Sequence, residues 1–255
     1  LDLATIMVLL LYVKDRRLVE MVLTDLIERG ERKKEETLSK FCGDFDTIIN
    51  ALGSEDEKER EEAVDALSEL SDPRIVLPLI HALSDDSAYV RRSAADALGR
   101  TGAIKAVKPL MKALTDDDRY VKETAAEALG HLGDLAVPEL MQGVHDKDWR
   151  VRVGSLVALR VTSGKIPTLD PIIGALYDES HYVRREAVKT LGRIGNSTIT
   201  PYIIQATKDT DAGVRLRAIK ALGKLGGEDE IISVLNRCSQ DVDSVVRVRA
   251  REELD

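Results

Sequence analysis

The chain of 255 residues is poor in the side chains that build most small chemical sites. It has two cysteines, Cys42 and Cys238, nearly two hundred positions apart and neither in a Cys-x-x-Cys pair. That excludes a disulfide framework and a cysteine zinc site, and it favours a reducing, cytoplasmic setting. Aromatics are scarce (one Trp, six Tyr, two Phe), too few for the core of an ordinary sandwich or barrel. Positive charge is not in excess: 37 Lys and Arg face 45 Asp and Glu, a net of −8, which excludes a wholesale basic nucleic-acid coat. Leu3 to Val13 is a run of eleven apolar or small residues, short of the roughly twenty that span a bilayer. No basic stretch precedes it, so it does not read as a signal peptide, and no stable membrane span is expected. The four histidines are followed by Ala82, Leu132, Asp146 and Tyr182, never by Glu. No phosphate loop is visible, and no nucleophile has a base at an arguable spacing. The sequence therefore assigns no catalytic, cofactor or metal residues, and the expectation is a protein that is not an enzyme.

What is present is a repeat. The dipeptide Val-Arg or Val-Lys recurs at Val90, Val121, Val151, Val183, Val214 and Val246, at intervals of 30 to 32 residues, with a degenerate copy at Glu59. Four residues after each anchor stands a small residue: Ala63, Ala94, Ala125, Ser155, Ala187, Ala218 and Ala250. Eight after it comes Leu67, Leu98, Leu129, Leu159, Leu191, Leu222 and Leu254. Positions i, i+4 and i+8 share one face of an α-helix, and the small residue lets a neighbouring helix approach. Three before each full anchor are Ser87, Asp118, Asp148, Ser180, Asp211 and Asp243, side chains that cap a helix start. Paired glycines such as Gly99 with Gly102 and Gly192 with Gly195 are expected to stop each helix through the left-handed conformation. A shorter helix with Pro near its first turn follows, as at 106–114, 136–141 and 169–176. A helix pair of about thirty residues cannot bury its apolar face alone, so the units must stack. The fold class is all-α, an α-solenoid of antiparallel helix pairs. The Asp five before each anchor (Asp85, Asp116, Asp146, Asp178, Asp209, Asp241) and the Arg or Lys after it recur with the unit, and are expected to form a charge ladder between units.

The pattern Val-Arg-x-x-Ala-Ala-x-Ala-Leu-Gly-x-x-Gly, followed by Ala-Val-x-Pro-Leu-x-x-Ala-Leu, resembles the HEAT-like repeat of the phycobilisome-lyase type. Residues 90–114 match it almost position by position, and roughly 55–255 follow it with drift. The resemblance fixes fold more than function. Similar arrays serve as protein scaffolds, bilin-lyase subunits, an iron-dependent deoxyhypusine hydroxylase and, in a related form, DNA glycosylases. The hydroxylase binds iron through His-Glu dipeptides, which this sequence lacks.

Two regions are expected: an N-terminal helical cap or extension over 1–54, with helices near 2–14 and 17–29, and a repeat array of six to seven helix pairs over 55–255. Self-association through residues 1–29 is one expectation for the cap. In HEAT-like arrays the anchored helix generally lines the concave side. Its solvent positions, one before the anchor and two, six and ten after it, carry Tyr89, Arg92, Tyr120, Tyr182, Arg185, Lys189, Arg193, Lys220 and Lys224. In the fourth pair Trp149, Val153, Val157 and Val161 form an apolar stripe where charge is expected. Local repacking explains that stripe, and so does a groove for an acidic amphipathic helix or peptide rimmed by tyrosines and cations. The basic stripe is either a solvated helix face or a phosphate contact. The expected function is a protein-interaction scaffold whose partner is an acidic or amphipathic protein or peptide. The alternative is a lyase-type or chaperone-like subunit acting on a pigment-bearing or modified protein, and the third is a weak nucleic-acid binder.

Overall fold

The computed structural model describes residues 45–254 apart from 71, 163, 196, 227 and 228. The expectations for residues 1–29 and the rest of the N-terminal cap to residue 44 lie outside the described residues. The chain divides into two compact units between Asp72 and Pro73.

In the first unit, α1 (Phe45–Ala51) packs on α2 (Glu57–Ser68). Asp56 starts α2 by accepting the amide N–H of Lys58, and the pair buries Ile48, Ala63, Val64, Ala66 and Leu67. α1 and α2 form the first helix pair of the described residues.

The second unit contains six pairs, each a short helix followed by a longer one except in the last. The short helices are α3 (Val76–Ala82), α5 (Val107–Ala113), α7 (Val137–Gly143), α9 (Asp170–Gly174), α11 (Thr200–Ala206) and α13 (Asp229–Cys238). Their partners are α4 (Ala88–Arg100), α6 (Arg119–His131), α8 (Trp149–Val161), α10 (His181–Ile194), α12 (Ala212–Leu225) and α14 (Ser244–Glu252). Each partner helix packs against the next partner helix, and each short helix covers its own partner, giving two layers. Among the described residues there is no strand. The anchor valines and the leucines eight residues on form the core: Val90, Val121, Val183, Leu98, Leu129, Leu191 and Leu222 are all buried.

Caps fall where the sequence places them. Ser87, Asp118, Asp148, Asp211 and Asp243 each accept an N–H from the first turn, whereas Ser180 holds the position without a side-chain bond. The paired glycines divide the labour differently from the expectation. The second of each pair turns left-handed, with φ of 63° at Gly102 and 68° at Gly195. The first is not a stop at all. Gly99 lies inside α4, where an added Cβ would stand 2.7 Å from the Cα of Ala128, so this glycine brings α4 and α6 together.

The charge ladder is present. Arg91 grips Asp116 of the next pair through Nε and Nη2 at 2.8 and 2.9 Å, and Arg184 grips Asp209 the same way. Arg152 with Asp178, and Arg215 with Asp241, repeat the contact. Each arginine also donates Nη1 to two carbonyls of its own turn, as Arg91 does to Asp85 and Asp86. Each of these aspartates accepts the backbone N–H of its own cap residue. Lys122 breaks the series: its single ammonium bonds the carbonyls of Asp116 and Asp117.

Candidate functional site

The residues singled out on the partner helices lie on their solvent side. Tyr89, Arg92, Tyr120, Trp149, Tyr182, Arg193, Lys220 and Lys224 are exposed, while Val153, Val157, Arg185 and Lys189 are half-buried. The face follows from helix geometry, because buried anchors, small residues and leucines take the opposite side.

Four aromatics occupy the first turns of successive helices: Tyr89 on α4, Tyr120 on α6, Trp149 on α8 and Tyr182 on α10. Their exposures are 64, 59, 42 and 49 %, high for residues of this size. Trp149 and Tyr182 stack across the α8–α10 joint, with ring centroids 5.1 Å apart and planes 23° from parallel. Arg92 lies 5.5 Å from the centre of the Tyr120 ring, and Arg185 lies 5.9 Å from that of Tyr182. These cation–π contacts help to hold Tyr120 and Tyr182, which stay exposed.

The apolar stripe of α8 is only partly open. Val153, Val157 and Val161 are half-buried, and Val161 fills the notch left by Gly130 on α6. Local packing thus accounts for the far end of the stripe, and Trp149 carries its exposed end.

The basic stripe resolves into engaged and unengaged cations. Arg185 donates Nε and Nη2 to Asp211 at 2.8 and 2.9 Å, across Gly213, where any Cβ would overlap the guanidinium. Those hydrogen bonds hold the Asp211 carboxyl below the usual carboxylate range and raise the arginine. Lys189 pairs with Glu186. Arg193, Lys220 and Lys224 instead line a cleft of about 390 Å³ between α10 and α12. Arg160 and Arg217 complete its walls, and neither stood among the residues expected in a site. A larger cleft of about 720 Å³ lies between α3, α5 and the turns that follow them, where Arg91 and Asp116 of the ladder line it.

Among the described residues no group of three or more His, Cys, Asp and Glu could hold a metal ion. No described helix is long and apolar enough to cross a membrane. Cys238 is buried without a disulfide, and burial pushes its thiol up.

A profile for HEAT repeats matches residues 45–130, 107–170 and 169–255. Comparison with curated proteins finds no match. Among solved structures, Kap95 in its complex with Nup1 is 14 % identical with a TM-score of 0.63, over 92 % of this chain and 36 % of that one. Importin beta is 15 % identical with a TM-score of 0.62, over 82 % of this chain and 36 % of that one. Human deoxyhypusine hydroxylase is 22 % identical over 82 % of each chain, with a TM-score of 0.40. This chain spans little more than a third of Kap95 or importin beta, and at such identities the likeness concerns fold.

Proposed function

We propose that this chain, which belongs to the HEAT-repeat family, is a non-enzymatic scaffold that binds a protein or peptide on the solvent side of its partner helices. The observation that carries the reading is the aromatic row of Tyr89, Tyr120, Trp149 and Tyr182. Beyond the contacts they make between neighbouring helices, each of these rings leaves apolar surface in water. Exposed Trp, Tyr and Arg side by side are the usual anchors of protein interfaces. The fold is one that engages proteins elsewhere, as Kap95 does with Nup1. An acidic or amphipathic partner suits the row, because Arg92 and the cations beyond Tyr182 flank it. The unit of 30 to 32 residues further supports an array of the phycobilisome-lyase type, and the two distant cysteines support action in the cytoplasm.

The test compares affinity capture by the wild type, by a Tyr120→Ala, Trp149→Ala variant, and by a Tyr177→Ala, Tyr202→Ala control. The control removes two tyrosines that are likewise exposed but lie on the short-helix layer. Loss of two anchors should weaken partner binding by at least about thirtyfold, the effect of a hot spot of about 2 kcal/mol. Equal retention of the partner by the Tyr120 and Trp149 variant, with helicity intact, would overturn the reading.

A further inference from the structure

The cleft between α10 and α12 is lined by cations without carboxylates, unlike the larger cleft beside α3 and α5. Six cations line it, Arg160, Lys189, Arg193, Arg217, Lys220 and Lys224, and no carboxylate does. Its floor is Val188, Gly192 and Ala221. A Cβ on Gly192 would stand 2.8 Å from the Cβ of Ala221, so the two helices touch there and their long basic side chains rise on either side.

Two of the six share a counter-ion behind the cleft. Glu186 pairs with Lys189 and lies 3.8 Å from Arg160, whose Nε is buried without a hydrogen-bond partner. Among the described residues, Arg193, Arg217, Lys220 and Lys224 make no ion pair. Yet the ladder arginines of the same helices, Arg184 and Arg215, each hold an aspartate through two bonds. In a chain of net charge −8, four cations in one cleft repel one another, and no ion pair among the described residues offsets that repulsion.

The positive region is one cleft wide. On one side α8 offers Val153 and Val157. On the other, the end of α14 brings Glu252 and the Glu253 that follows it, both paired with Arg249, with the Glu253 carboxylate lying against Gly223. Toward the start of the unit the corresponding face carries Asp96, Glu123 and Glu127. A nucleic-acid strand bears a charge every 3.4 Å or so and would leave the cleft onto valines on one side and onto ion-paired glutamates on the other. A single phosphate, with about two charges and three acceptor oxygens, matches converging guanidinium and ammonium donors better than a carboxylate does.

From these observations, and resting on the reading that the partner is a protein, we infer that the cleft is the subsite for a phosphorylated serine or threonine of that partner. Tyr182 precedes Lys189 by seven residues and Arg193 by eleven on α10, about 10 to 17 Å along the helix. An extended peptide covers that distance in about three to five residues. The bound segment therefore carries an apolar residue for the Trp149–Tyr182 stack about three to five positions from the phosphate.

Two measurements on the full chain test this. Titration of the ¹⁵N-labelled protein with inorganic phosphate at constant ionic strength should give saturable amide shifts confined to 188–193 and 217–224. They should be absent from an Arg217→Ala, Lys220→Ala variant and from a Lys220→Ala, Lys224→Ala variant. Fluorescence anisotropy then compares degenerate peptides bearing a phosphoserine and an aromatic residue four positions away, their serine twins, and a twenty-residue oligothymidylate. The phosphopeptide should bind at least tenfold more tightly than its twin, and the cleft variants should abolish that ratio. Trp149→Ala should weaken both twins and leave the ratio intact; if it weakens neither while the ratio holds, the aromatic row fails and the cleft stands. Phosphate shifts scattered over all exposed lysines, a ratio near one, or tighter binding of the oligonucleotide would overturn the inference, the last assigning the cleft to nucleic acid.

Discussion

Ser155→Ala should make the protein more stable. All six other units place Ala at this position (Ala63, Ala94, Ala125, Ala187, Ala218, Ala250), and only α8 substitutes a hydroxyl. Ser155 is fully buried, and its Oγ lies against Gly143 of α7 with no hydrogen-bond partner. An unpaired buried hydroxyl costs about 1–3 kcal/mol. Removing the oxygen gives up a few dispersion contacts at about 0.1–0.2 kcal/mol each, and alanine is the better helix former by up to about 0.5 kcal/mol. The net expectation is a gain of about 1–2 kcal/mol. In urea denaturation followed by circular dichroism, the midpoint should rise with an unchanged slope. Each unit contacts only its neighbours, so amide exchange should slow in α6 to α10 and little elsewhere. Ala187→Ser is the mirror experiment and should lose a comparable amount. A Ser155→Ala protein that is less stable by 0.5 kcal/mol or more (about the resolution of the assay) would refute the reasoning, because it would mean that the hydroxyl is satisfied.

Two further outcomes follow from the ladder and the glycines. Hydrogen bonds from Arg215 hold the Asp241 carboxyl below its unfolded value, so its stabilisation is complete above about pH 4 and drains away as pH falls through the lower folded pKa. Stability should thus be level from neutral to about pH 5 and drop below about pH 4. Asp241→Asn should cost about 3 kcal/mol at neutral pH, since it leaves a mostly buried guanidinium unpaired, and should flatten the acid limb of a Tm-against-pH curve. Gly99→Ala forces Cβ against the backbone of Ala128 and should cost about 1–3 kcal/mol. Gly102→Ala meets no neighbour and should cost about 1 kcal/mol from its positive φ alone, so the order of urea midpoints checks the two roles.

The repeating part of the fold was legible because it is written six times. Anchors, caps and ladder aspartates each recur at one offset, and any irregular copy is corrected by the others. What the periodicity hid was registration between helices. Leu-Gly-x-x-Gly does not reveal which glycine turns and which admits a neighbour, since that depends on Ala128 facing Gly99 from a helix thirty residues on. The Trp149–Tyr182 stack and the Arg185–Asp211 pair cross between helices for the same reason, though Gly213, where α4, α6, α8 and α10 carry Tyr or Arg, marks the space that Arg185 fills. Arg217 was within reach. At 3.6 residues per turn, the third residue after an anchor lies within about 20° of the tenth, so the chosen face was drawn one position too narrow.

The departures from the repeat are concentrated on one helix. In α8, Trp149 opens the helix beside the anchor, Ser155 replaces alanine and Arg160 replaces glycine, while α4, α6, α10 and α12 keep the consensus small residue and glycine at those places. Two of these changes leave buried polar atoms unpartnered, Ser155 Oγ and Arg160 Nε. The third leaves a large ring 42 % exposed. What the fold gains from them is one ring stack, Trp149 on Tyr182, and one ion pair, Arg160 with Glu186 at 3.8 Å. In a linear array such a cost stays local, so one weak unit is tolerated between strong neighbours. Trp149 stands in the aromatic row that carries the partner reading, and Arg160 on the wall of the basic cleft inferred to take the phosphate. Local rules broken for little return to the fold are expected where residues serve binding instead, and α8 is where both halves of the surface meet.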